Sequence, residues 1–174
     1  EALVEDLLRD LPTDRPYALY GHSLGAWVAY ELTHALVEAG RDLPWMIGVG
    51  ARQAPRHENT APPLGRLPRE AFVAGMIERY DAIPRVLLDR PELLDTFLPA
   101  VRADVTLFED YRWTEREPLD IPIHVFLGDA DPTVDPAQAR DWALHTTAPV
   151  DVSVLSGGHF FHREHADTLL QALL

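Results

Sequence analysis

Tyr17-Ala18-Leu19-Tyr20-Gly21-His22-Ser23-Leu24-Gly25-Ala26 sets a short apolar run against a serine held between two glycines. The chain carries only three serines in 174 residues. With that composition a G-x-S-x-G match arises by chance in about one chain in 100, before any structural context is required. Here the context is present on both sides. Residues 17–20 read as a short strand that runs straight into the serine, and Leu24, Val28, Leu32, Ala35, Leu36 and Ala39 mark one face of the helix that follows. Gly40 stands where a left-handed C-terminal cap is expected. The order is strand, sharp turn, helix.

Working outward, Leu3, Val4, Leu7, Leu8 and Leu11 recur at helical spacing, and Pro12 closes that segment, so a helix is expected over residues 1–10. Further strands are expected at residues 45–49, 121–127 and 150–155, with helical patterns after the last two at residues 136–145 and 163–174. Short apolar runs alternating with amphipathic helices describe an α/β fold, a parallel sheet with helices on both faces. Residues 51–118 break the rhythm. They open with a loop rich in proline and arginine and continue as helical segments around residues 72–80, 91–97 and 101–111, with no strand. This stretch reads as a helical lid insertion, over about residues 56–118, within a single domain spanning residues 1–174.

A chain of this length buries a sizeable core. Its net charge of −13 and the lack of any basic stripe argue against nucleic acid as a partner. No apolar run approaches the ~18 residues that cross a bilayer, so no membrane role is expected, and no secretory signal is visible. All 15 basic residues are arginines, which fits a high-GC coding bias. The absence of cysteine excludes disulfides, thiolate catalysis and Cys-ligated zinc, and a cytoplasmic setting is expected.

Gly21-His22-Ser23-Leu24-Gly25 has the form of a nucleophile elbow, in which a strained strand-to-helix turn exposes the serine oxygen and small neighbours avoid clashes. A serine hydroxyl is a poor nucleophile at neutral pH. It needs a histidine base, and the histidine needs a carboxylate to hold its tautomer. His159, in Gly157-Gly158-His159-Phe160-Phe161, follows the fourth strand candidate, and Asp129, Asp131 and Asp135 follow the third. Asp135 precedes Pro136 and a helix and reads as a cap, which leaves Asp131 and Asp129 as candidate acids. His159, His162 and His165 are spaced by three, but further metal ligands are not announced, and no metal or cofactor is expected. His22 is expected to pack beneath the end of the sheet, and His34, His57, His124 and His145 to take core or surface roles.

These residues resemble the stand-alone type II thioesterases that accompany modular polyketide synthases and nonribosomal peptide synthetases, members of the α/β-hydrolase superfamily. The resemblance spans nearly the whole chain. It rests on GHSLGA, on Gly50-Ala-Arg-Gln-Ala-Pro55, on Pro91-Glu-Leu-Leu94 with Leu98-Pro-Ala-Val-Arg-Ala-Asp104, on residues 128–134, and on Ser156-Gly-Gly-His-Phe-Phe161. It implies a triad of Ser23, His159 and Asp131, with Leu24 N–H as an oxyanion-hole donor. It also implies a substrate carried as an acyl group on the phosphopantetheine arm of an acyl or peptidyl carrier protein, and the removal of aberrant or stalled units. The fused chain-terminating relatives commonly draw their acid from the strand after the nucleophile helix, which here ends Ile47-Gly-Val-Gly-Ala-Arg52 without a carboxylate.

The family has further strands and a glycine-containing loop ahead of the elbow, which supplies a second oxyanion donor. Here Ser23 follows a single helix, so this chain is expected to be the C-terminal part of a longer protein. Arg52, Arg56, Arg66 and Arg69 are candidates for a basic patch facing an acidic carrier protein or for a solvated loop, and Phe72, Met76 and Leu87 for the acyl pocket or for core packing. The rival readings are a small-molecule carboxylesterase or lipase-like hydrolase with the same triad, and a catalytically inert binding module on the same fold.

Overall fold

The computed structural model describes residues 2–11, 15–57 and 59–174. Pro12, the expected stop of the first helix, lies outside the described residues. Two compact units emerge, one formed by Glu1–Pro55 with Glu115–Leu174 and the other by Arg56–Thr114. The first runs α1 (Ala2–Asp10), β1 (Leu19–His22), α2 (Leu24–Glu38), β2 (Ile47–Gly50), then β3 (Ile123–Gly128). After β3 come a short helix that continues as a 3-10 turn (Asp141–Leu144), the strand β4 (Val150–Leu155), and a C-terminal helix (Ala166–Leu173).

All strand pairs are parallel, in the order β1-β2-β3-β4. The central pair is apolar on both faces, as a covered parallel sheet requires: Ile47, Val49, Ile123, Val125 and Phe126 are buried. One face is turned to α2, because Gly21 in β1 approaches Gly25 at the start of that helix. The neighbouring positions Tyr20 and Gly48 face the other way, toward Leu173 of the C-terminal helix. Residues two apart share a face, so the two helices cover opposite sides. That matches the expected layers.

In β1, β2 and β3 pairing begins about two residues later than the apolar runs suggested, whereas the strand at Val150–Leu155 has the expected bounds. Tyr17 and Trp45 are joined by one backbone bond ahead of the ladder (3.0 Å), and β1 then runs through Gly21 and His22 directly to Ser23. The expected face of α2 is also corrected. Its buried residues are Ala26, Trp27, Ala29, Tyr30, Leu32, Thr33, His34 and Leu36, whereas Ala39 is exposed and Val28 only half-buried. A helix pressed on the sheet and flanked by loops is covered over far more than one stripe, so a single periodic face understates it.

At the end of α2 the expected cap forms. Gly40 takes φ 62°, with Gly40 N–H bonded to Val37 O and Arg41 N–H to Leu36 O, both at 3.0 Å. These are the two bonds of a Schellman motif. Arg41 then donates to the carbonyls of Leu8 and Leu11, which ties α1 to this corner.

The second unit contains α3 (Arg69–Tyr80), α4 (Arg85–Leu88) and α5 (Pro91–Asp110), around a core of Leu64, Phe72, Met76, Ile83, Leu94 and Leu98. Phe72 and Met76 are thus spent on packing within their own unit. The guanidinium of Arg102 lies 4.2 Å from the Phe72 ring centroid and donates to the carbonyls of Gly65 and Leu67, while Glu109 accepts from the Gly65 N–H. These bonds pin the arginine-rich loop to α5. Where the sequence suggested two helices, over residues 91–97 and 101–111, α5 is continuous through Pro99. Proline removes one donor to the carbonyl of Asp95, and both residues are exposed, on a side of the helix open to solvent.

Candidate active site

Ser23 occupies φ 55°, ψ −117°, between the last residue of β1 and the first of α2. A non-glycine residue held there stores about 1–3 kcal/mol of backbone strain, which persists only where the surroundings over-determine it. They do so here: Ser23 N–H donates to Gly50 O of β2 at 2.8 Å, and its carbonyl accepts from Ala26 N–H at 3.1 Å.

The two flanking glycines turn out to differ. A Cβ on residue 21 would lie 1.9 Å from the carbonyl oxygen of Gly25, whereas a Cβ on residue 25 would meet nothing within 4 Å. Only Gly21 is demanded by close approach, because its obstacle is backbone that cannot rotate away. Gly21→Ala is therefore expected to destabilise the protein by about 3 kcal/mol or more, while Gly25→Ala stays within about 1 kcal/mol of the parent. Urea unfolding of both variants measures this, and equal losses would remove the distinction.

His159 and Asp131 converge on the serine from the carboxyl ends of β4 and β3. His159 Nε2 is 3.0 Å from Ser23 Oγ, and its Nδ1 is 2.9 Å from Asp131 Oδ2. Both side chains are almost wholly buried, at 3% and 1% exposure. With Nδ1–H donating to the carboxylate, Nε2 is left as an acceptor for the Ser23 hydroxyl. Thr133 is a residue that sequence reasoning missed. Its N–H and Oγ1–H both donate to Asp131 Oδ1, at 2.9 and 2.7 Å. Burial alone would raise the Asp131 carboxyl, but the bonds from His159 and Thr133 outweigh it and hold the group below its ordinary value, as the ionised form. The aspartate two residues before a threonine is the signal that marks such a turn.

The other candidate acids have structural work. Asp129 Oδ1 accepts from Gly157 N–H at 2.8 Å and so shapes the turn ahead of His159. Asp135 accepts from Ala137 N–H at 2.8 Å, as the cap of the short helix α6 (Pro136–Arg140). The spaced histidines diverge: His165 bonds Ser156, and the His162 ring packs on His22 at 4.0 Å. His22 Nε2 lies 2.8 Å from the carbonyl oxygen of His159 and donates to it, while Tyr20 OH is 3.3 Å from its Nδ1. Burial first, then the neighbouring His162 and His159, push the His22 pKa down to about 3. A ring neutral throughout the working range keeps these two hydrogen bonds and braces the backbone of His159.

Arg52 departs most from expectation. It belongs to no surface patch: it is buried, at 2% exposure, with Nη2 3.1 Å from Ser23 Oγ and its guanidinium 5.2 Å from the Trp27 ring centroid. Two other members of the expected patch are engaged by carboxylates, Arg66 with Asp110 at 3.3 Å and Arg69 with Asp95 at 2.7 Å. An arginine directly after an uninterrupted apolar strand was the available signal, since such a position begins inside the core.

The chain matches the family model of the thioesterase domain over residues 1–174. It is 33% identical over 171 residues to linear gramicidin dehydrogenase LgrE of Brevibacillus parabrevis, covering 97% of this chain and 64% of that protein. To the probable anguibactin biosynthesis thioesterase AngT of Vibrio anguillarum it is 35% identical over 159 residues, covering 89% of this chain and 62% of the relative. The structure aligns with the type II thioesterase BorB from the borrelidin biosynthetic cluster at a TM-score of 0.82 and 34% identity, over 99% of this chain and 66% of that one. The chain spans less than two thirds of the length of these relatives. A strained serine between a parallel strand and a helix, bonded to a histidine and through it to an aspartate, thus sits in a chain that belongs to the thioesterase family, on the α/β-hydrolase fold.

Proposed function

We propose that this chain hydrolyses acyl thioesters held on the phosphopantetheine arm of acyl or peptidyl carrier proteins, in the cytoplasm, clearing aberrant or stalled units from polyketide and nonribosomal peptide assembly. The continuous path from Ser23 Oγ through His159 to Asp131, with steps of 3.0 and 2.9 Å, is the observation that carries this reading. The names of AngT and BorB support the substrate class. The reading of residues 56–118 as a lid belongs to the same proposal.

Ser23 Oγ attacks the thioester carbonyl carbon while its proton passes to His159 Nε2, and the carbonyl π pair moves onto oxygen. Leu24 N–H meets that oxyanion, as the first helical N–H of α2, which has no intrahelical acceptor and lies at the positive end of the helix dipole. The pair returns, the C–S bond breaks, and the thiol leaves with the proton from His159. Water then gives a proton to His159, adds to the acyl-serine, and Ser23 recovers its proton as the free acid departs. A thiol with a pKa of about 8.5 leaves with far less acid assistance than an alkoxide, so a single histidine suffices. The chemistry calls for no cofactor beyond water.

Matched acyl-pantetheine thioesters and oxygen esters test the reading. A kcat/KM about tenfold or more higher for the thioester is expected. Equal or reversed preference would assign the triad to a carboxylesterase, and inactivity on both would assign the chain to an inert binding module.

A further inference from the structure

The nucleophile has a second polar neighbour that the Ser-His-Asp scheme leaves unused. Arg52 Nη2 is 3.1 Å from Ser23 Oγ. A guanidinium has donors only, so the direction of this bond is forced: Ser23 Oγ accepts from Arg52 while its own proton points to His159 Nε2. The bond is charge-assisted, and its donor end is buried with Arg52 while Ser23 stays half-buried.

The surroundings hold the arginine in place. Ala51, at φ 51°, turns the chain sharply as it leaves β2. Trp142 Nε1–H donates to the Arg52 carbonyl at 3.0 Å, and Trp27 Nε1–H to the Gln53 carbonyl at 3.1 Å. Gln53 Oε1 accepts from Arg52 Nη1 at 3.3 Å. Two buried tryptophans thus clamp the segment that carries the cation, and the same strand, through Gly50 O, holds the Ser23 N–H.

We propose that Arg52 is a catalytic residue that stabilises negative charge on Ser23 Oγ, an inference that rests on the thioesterase reading above. During acylation Oγ gains charge as its proton passes to His159 and the O–C bond forms. During deacylation the C–Oγ bond breaks, the electron pair returns to Oγ, and His159 gives back the proton taken from water. Charge collects on the same oxygen at both moments, and a cation fixed 3.1 Å away is oriented for it in advance.

Arg52→Met and Arg52→Lys in the intact protein test this, through the fluorophosphonate labelling rate and thioester turnover between about pH 6 and 10. The Met variant is expected to lose about 10²-fold in labelling rate and kcat, with KM changed less than about threefold. The Lys variant keeps a charge and recovers to within about tenfold of wild type at neutral pH. Its rate then falls above about pH 9 as the ammonium deprotonates, whereas the wild-type rate stays level because arginine does not titrate there. A side chain that only packs would show no such alkaline limb. Rates for the Met variant within about threefold of wild type, or a level alkaline profile for the Lys variant, overturn the proposal. Should the Met variant fail to fold, the Lys profile decides alone. Wild-type protein that neither labels nor hydrolyses thioesters overturns the thioesterase reading and this inference with it, whereas active wild type with unaffected variants overturns this inference only.

Discussion

Ser23→Ala is expected to lower thioester hydrolysis by about 10⁴-fold or more and to abolish the fluorophosphonate adduct seen by intact-protein mass. The expectation follows from where the oxygen sits. Ser23 Oγ is bonded to His159 Nε2 at 3.0 Å and to Arg52 Nη2 at 3.1 Å, so both the base and the cation are aimed at one atom. Removing that atom leaves nothing for either to act on. Stability should barely change, because alanine at φ 55° is as strained as serine. Ser23→Gly separates the two properties further. It should be equally inactive and more stable by roughly 1 kcal/mol, since glycine adopts that conformation freely. An alanine variant retaining a tenth of wild-type turnover would remove Ser23 from the mechanism.

Asp131→Asn is expected to cost about 10⁴-fold in kcat while the fold and KM are retained. The reason lies in the donors around the carboxylate. Oδ1 accepts two bonds from Thr133, one from a backbone N–H that cannot reverse. An asparagine must therefore keep its carbonyl oxygen toward Thr133 and turn its NH₂ toward His159 Nδ1. That nitrogen then has to accept, the ring proton moves to Nε2, and Nε2 can no longer take the proton of Ser23. Asp129→Asn is the matched control, because the Asp129 carboxylate accepts from the Gly157 backbone N–H. It should leave kcat within about tenfold of wild type. If both substitutions cost the same, the assignment of Asp131 as the orienting acid fails.

The choice between these two aspartates shows how far a sequence carries. Gly128-Asp129-Ala130-Asp131-Pro132-Thr133 places both carboxylates in one loop, and spacing alone left them open. Folding separates them, because the bond from Asp129 to Gly157 N–H draws the turn of one strand end against the next. Asp131 is then the one that meets His159 Nδ1.

Local patterns were legible where the cause is itself local. The apolar run, the glycine-flanked serine, the Gly40 cap and the alternation of strands and helices all follow from the conformational limits of a few neighbouring residues. What depended on distant partners was not. Arg52 read as a surface cation because arginine usually is one; its burial beside Trp27 comes with a bond to its carbonyl from Trp142, 90 residues away. Residues 91–97 and 101–111 read as two helices, whereas α5 runs through Pro99, an exposed position. Phe72 and Met76 were open to a pocket or a core, and only the packing of their unit decided. By itself, then, the sequence determined the order of elements, the elbow at Ser23 and its companion His159, because backbone sterics and strand-end placement are written in short stretches. The tertiary structure alone decided that Gly21 rather than Gly25 must lack a side chain and that a buried guanidinium lies against the serine, and it brought to His159 the carboxylate that spacing left open and the resemblance implied, because each is a distance between parts of the chain far apart in sequence or set by the turn they share.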